Sequence, residues 1–135
     1  MLSNNIIVLR QWRPNDRGFV IKTWLDGAWA GNEYFKEVDE DLFKSVYSTI
    51  IQSIVERPET KVTVACLADD DTVIVGFSVV RELKDRVLDW VFVRPTWRGK
   101  HIAKELVGTV DWVTHLTKPG RAIKWQKKLK FNPFL

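Results

Sequence analysis

The residues best able to do chemistry are gathered in one stretch, Val93-Arg94-Pro95-Thr96-Trp97-Arg98-Gly99-Lys100-His101-Ile102-Ala103. A β-rich run of period two ends at Arg94, and from Arg98 the apolar residues recur at helical spacing, so a short loop must join a strand to a helix. The first turn of a helix carries N–H groups without intrahelical partners and a partial positive charge, and a phosphate or diphosphate can supply the missing acceptors. Arg98 and Lys100 bring cationic side chains to the same place. Such turns also occur in proteins that bind no anion, so the stretch alone leaves an anion site and a plain structural turn equally open. Trp97, just ahead of the helix, is expected to be partly exposed and able to cover a cofactor or an aromatic acceptor.

Two further side chains could move a proton. In the run Arg86 to Arg94, alternation sets Val87, Asp89, Val91 and Val93 on one face and Leu88, Trp90 and Phe92 on the other. Asp89 is the charged group on its face, and it reads either as a general base or as a partly solvated carboxylate paired with Arg81 or Arg86. His115 lies in Thr114-His115-Leu116-Thr117 and is either a second catalytic candidate or a structural histidine. The lone Cys66, inside the apolar run Val62 to Leu67, reads as a buried thiol; neither a disulfide nor a metal site is expected.

These residues need elements to hold them. Asn5 to Gln11 reads as a strand, ended by the turn Arg13-Pro14-Asn15-Asp16. A helix capped by Asn15 or Asp16 then carries Phe19, Val20, Thr23 and Trp24 until Gly27 and Gly31 interrupt it. The strongest helical pattern runs from Asp39 to Arg57, with Leu42, Phe43, Val46, Tyr47, Ile50, Ile51, Ile54 and Val55 on the inward side, Asp39 as N-cap and Pro58 as stop. Lys61 to Ala68, Thr72 to Arg81 and Arg86 to Arg94 follow as strands with short polar connections, which favour an antiparallel meander. After the loop, Ile102, Ala103, Leu106, Val107 and Val110 share a helical face. Trp112 to Thr117 reads as a short strand, and Gly120 to Leu129 as a basic helix.

A length of 135 residues at 45% hydrophobic content fits a single domain over residues 1–135 with one packed core. No segment has the apolar length of a membrane span and the N-terminus lacks a signal-peptide pattern, so a soluble, cytoplasmic protein without membrane partners is expected. The net charge of +4 is uneven, with six basic residues and no acidic one from Lys118 to Lys130. That tail, with Trp125 interleaved, reads as a solvated helix face, a clamp for phosphates, or a surface for nucleic acid.

The order of elements, strand, helix, helix, three meandering strands, anion-binding turn with helix, short strand and helix, resembles the GNAT superfamily of CoA-dependent N-acetyltransferases. Within it, Arg98 and Ala103 fill the first and last positions of the acyl-CoA motif, and His101 stands in place of the motif's middle glycine. Arg121 to Phe131 resembles the last-helix pattern, with Gln126 where many members have a tyrosine and Pro119 where an asparagine is frequent. The resemblance implies an α/β (α+β) fold: a central mixed, mostly antiparallel sheet with a splayed strand pair, flanking helices and truncated last strands. It implies transfer of an acetyl group from acetyl-CoA to an amine of a small-molecule or protein acceptor. The cofactor would lie along Val91 and Val93 and on Trp97, Arg98, Gly99, Lys100, His101, Ile102 and Ala103, with Asp89 and His115 as catalytic candidates. The alternative is a non-catalytic GNAT-fold protein that binds CoA or associates with nucleic acid. An exposed last sheet edge would suit a homodimer.

Overall fold

The computed structural model describes residues 6–31, 39–114 and the backbone of 130–131. Six strands form one sheet in the order β1 (Ile7–Gln11), β2 (Thr60–Leu67), β3 (Ile74–Glu82), β4 (Arg86–Val93), β5 (Trp112–Val113) and β6 (Lys130–Phe131). β1 to β4 pair antiparallel, whereas β5 runs parallel to β4, and β6 parallel to β5. The meander follows from its short polar links, and the switch to parallel pairing follows from the helical crossover between β4 and β5. The sheet is mixed and mostly antiparallel, as expected.

Helices α1 (Arg17–Gly31) and α2 (Glu40–Val55) cover one face and α3 (Ile102–Val107) covers the other. Val20, Trp24 and Ala28 of α1 and Phe43, Ile51, Ile54 and Val55 of α2 pack on Val62, Val64, Phe77 and Val79 of the sheet. Ile102 and Leu106 of α3 pack on Ile7, Ala65, Val75 and Val93 behind it. The Asp39 carboxylate caps α2 by accepting from Leu42 N–H at 3.0 Å.

Three expectations need correction. α1 is not interrupted at Gly27 and runs to Gly31, because Gly27 is a contact point and not a break. A β-carbon there would stand 2.8 Å from Cζ2 of Trp90, whose ring stacks on Trp24 with centroids 6.1 Å apart. Leu42, Val46 and Ile50 are exposed at 58%, 55% and 45%, since they form one i, i+4 row turned away from the face that buries Phe43, Ile51, Ile54 and Val55. α3 is short; Gly108, at φ 64, ends it, and Val110 is buried from the loop beyond. The proposed basic helix from Gly120 to Leu129 lies outside the described residues.

Candidate functional site

The turn after β4 is built from two left-handed residues. Pro95–Trp97 makes one 3-10 turn, Arg98 is extended, Gly99 has φ 80, and His101 has φ 64 and ψ 15. Among the described residues His101 alone has positive φ without being glycine. That conformation places the β-carbon against the following carbonyl and costs roughly 1–2 kcal/mol, which is why a glycine suits the position. Histidine is among the side chains that tolerate it best. The His101 carbonyl accepts the first bond of α3, from Glu105 N–H at 3.1 Å, so the N–H groups of Ile102, Ala103 and Lys104 precede the intrahelical ladder. Arg98 donates from Nε to the Val93 carbonyl at 2.8 Å, lying back over the end of β4. Arg98, Gly99, Lys100 and His101 are exposed, while Ile102 is buried and anchors the start of α3. Trp97 is half-buried beside the cluster that holds Val93 and Ile102.

Asp89 sits in a β-bulge. Val79 pairs with Trp90 and Val80 with Leu88, leaving Asp89 as the extra residue of β4. The strict alternation expected along this strand therefore fails: Leu88 and Val91 face the same cluster beside α3, whereas Trp90 and Phe92 pack on the α1 side. Asp89 turns instead to Arg81, which donates from Nε to Oδ2 at 2.7 Å and from Nη2 to Oδ1 at 2.9 Å. The Thr114 hydroxyl donates to Oδ1 at 2.8 Å. The two ion-paired side chains are 2% and 0% exposed. Of the readings open for Asp89, pairing with Arg81 is realised, in the core and not at a solvated edge. Arg86 is engaged elsewhere, donating from Nη1 to the Thr109 carbonyl at 2.5 Å.

The bulge also decides which main-chain groups face outward. Asp111 N–H donates to the Arg86 carbonyl at 2.8 Å and Thr114 N–H to the Leu88 carbonyl at 3.1 Å, so even-numbered residues face β5 at the start of β4. Arg94 N–H donates to Val75 across the β3 ladder at 2.8 Å, so beyond the bulge the odd-numbered residues Val91 and Val93 turn their N–H and carbonyl groups away from β3. Among the described residues, β5 pairs with β4 only at Val87 and Leu88. No strand among the described residues pairs with the outer edge of β4 from Val91 to Val93, which leads directly into the turn.

Arg81 is one of the two partners the sequence offered for Asp89, whereas Thr114 as the third member of this cluster was not foreseen. The signal for Arg81 is a charge directly after the apolar run Ile74 to Val80, still within β3, since a buried guanidinium requires a partner. Also unforeseen is a cleft of about 430 Å³ at the other side of the β4 end, lined by Arg10, Asp16, Phe19, Asp71, Ile74 and Arg94 among others. There the hydrogen-bonded Arg10 guanidinium holds the Asp16 carboxyl below the usual carboxylate range, with Arg10 Nη1 to Asp16 Oδ2 at 2.7 Å. His115, Thr117, Trp125 and Gln126 lie outside the described residues.

A helix-flanked mixed sheet whose fourth strand bulges before an anion-suited turn defines an acetyltransferase-type fold, and solved structures share it. A GNAT-family acetyltransferase from Staphylococcus aureus superposes with a TM-score of 0.52 at 20% identity, over 77% of this chain and 62% of that one. A Pyrococcus furiosus protein described as an acetyl transferase gives 0.62 at 12% identity, over 93% of this chain and 81% of its own. No match is found among curated proteins. The model of the GNAT acetyltransferase family matches residues 21–116, and the chain belongs to that family.

Proposed function

We propose that this protein is an N-acyltransferase that passes an acetyl group from acetyl-CoA to an amine of a small-molecule or protein acceptor. The observation that carries the reading is the bulge at Asp89, which turns the main-chain groups of Val91 and Val93 outward on a strand edge ending in the turn Pro95 to His101. The residues present fit the cofactor. The outward N–H groups and the Val91 carbonyl can pair with the amides of a pantetheine arm as a neighbouring strand would, while the Val93 carbonyl already accepts from Arg98. The N–H groups at the start of α3, with Lys100, His101 and Arg98 around them, can accept a diphosphate.

When bound, acetyl-CoA supplies the thioester carbonyl that an amine attacks. The β4 edge orients that carbonyl and offers an N–H donor to the oxygen as negative charge develops. Proton removal from the acceptor falls to His115 or to a water, because both oxygens of Asp89 are occupied and sealed from solvent. That occupation also favours a second reading, a CoA-binding protein without turnover. Incubation with acetyl-CoA and a panel of primary amines, read by release of the CoA thiol, tests the proposal. Thiol release that depends on an amine supports transfer, and binding of acetyl-CoA without release over the whole panel selects the second reading.

A further inference from the structure

Arg81, Asp89 and Thr114 come from β3, from β4 and from the residue after β5, and they meet beside the pair Leu88 and Val113. All three are buried, at 1%, 1% and 6% exposure. Thr114 is attached to β4 twice, through its N–H to the Leu88 carbonyl at 3.1 Å and through its hydroxyl to Asp89 Oδ1 at 2.8 Å. A buried ion pair is weak evidence for a stabilising role, because desolvation of both charges offsets most of their attraction, and apolar residues of similar volume often serve as well. Its position calls for another role. Asp89 is the extra residue of the bulge, so no β3 residue opposes it to fix its direction. The two parallel N–H···O bonds from Arg81 do so, since a bidentate fork allows little rotation. The Thr114 hydroxyl then transmits that direction to β5.

From this geometry we infer that Arg81, Asp89 and Thr114 form a positioning clamp, which holds the bulge in place and thereby the outward facing of the β4 edge at Val91 and Val93 that receives the pantetheine arm. The inference rests on the acyl-CoA reading above. Arg81 and Asp89 act through Thr114 and the bulge and do not touch the reacting atoms. The clamp works on the arm and not on the nucleotide, because the turn that holds the diphosphate is built by Pro95 to His101 and anchored separately by Ile102 and Arg98.

Thr114 is the residue to test, since removing either charge strands the other in the core and endangers folding. Thr114→Val keeps the shape without the hydroxyl, and Thr114→Ser keeps the hydroxyl. Calorimetric titration of wild type and both variants is made with CoA and with phospho-ADP, the nucleotide half of CoA that lacks the pantetheine arm. The clamp predicts that Thr114→Val binds CoA about tenfold more weakly, as when only about a tenth of the molecules keep the binding-competent edge, with phospho-ADP affinity unchanged and the serine variant near wild type. Equal CoA affinity in wild type and Thr114→Val overturns the clamp and leaves the acyl-CoA reading standing. An equal loss for both ligands also overturns it, because it marks general loosening of the fold. Failure of the wild type itself to bind CoA overturns both.

Discussion

Replacing His101 by glycine should make the protein more stable and bind CoA less well, two effects of opposite sign from one side chain. The residue holds φ 64 with an exposed imidazole, so the substitution relieves backbone strain and sacrifices no packing. Relief of the left-handed strain is worth roughly 1–2 kcal/mol. Against it stands the added freedom of glycine in the unfolded chain, about 0.4–1 kcal/mol. The net is a gain of about 0.5–1 kcal/mol, or a rise in melting temperature of roughly 2–4 °C for a domain of this size. The imidazole stands at the start of α3, where it can donate to a phosphate oxygen, and losing a hydrogen bond to a charged group weakens CoA binding by about tenfold. Thermal melts without ligand and calorimetry with CoA measure the two effects separately. A variant no more stable than wild type would refute the strain argument, and identical CoA affinities of the variant and the wild type would mean that His101 does not touch the cofactor.

Gly27→Ala tests the close approach of α1 to β4. An alanine gains about 1 kcal/mol at an unobstructed helix position, but here its β-carbon meets the Trp90 ring at 2.8 Å, and overpacking of about 1–3 kcal/mol should lower the melting temperature. Asp16→Asn tests the Arg10 pair: the folded-state pKa of Asp16 is lowered, so its stabilisation is present above the unfolded value of 3.8 and is lost as the pH falls through the folded value. The wild type should therefore lose stability over that acid window more steeply than Asp16→Asn in urea titrations, and parallel curves would dismiss the pair as a pH-sensitive contact.

Elements with their own local signals were legible in the sequence. α2 has a capping aspartate, acidic first-turn residues and a stopping proline, and it forms where the periodicity put it. The strand-turn-helix at Val93 to Ala103 was legible because the hydrophobic period changes there. What was not legible depends on contacts between distant segments. Nothing in Arg86 to Val93 announces that Asp89 is surplus to the ladder, since a bulge is set by register against β3, and it reverses the facing that alternation assigns. Gly27 looked like a helix breaker because its reason for being glycine is a tryptophan sixty-three positions on. His101 was marked as a departure from a motif, and only the backbone angle explains what the usual glycine is for. The exposed Leu42, Val46 and Ile50 carry the same periodicity as the buried residues beside them, so periodicity alone could not separate the two sets.

The central claim is that acetyl-CoA lies along the outer edge of β4 with its diphosphate at the start of α3. Amide chemical shifts of the nitrogen-labelled protein, followed as acetyl-CoA is added, test it residue by residue. The account predicts that the amides of Val91, Val93, Ile102 and Ala103 move together and saturate, while those of β1 and β2 stay in place. Unmoved β4 and α3 amides at millimolar acetyl-CoA, or shifts confined to other parts of the sheet, would contradict it.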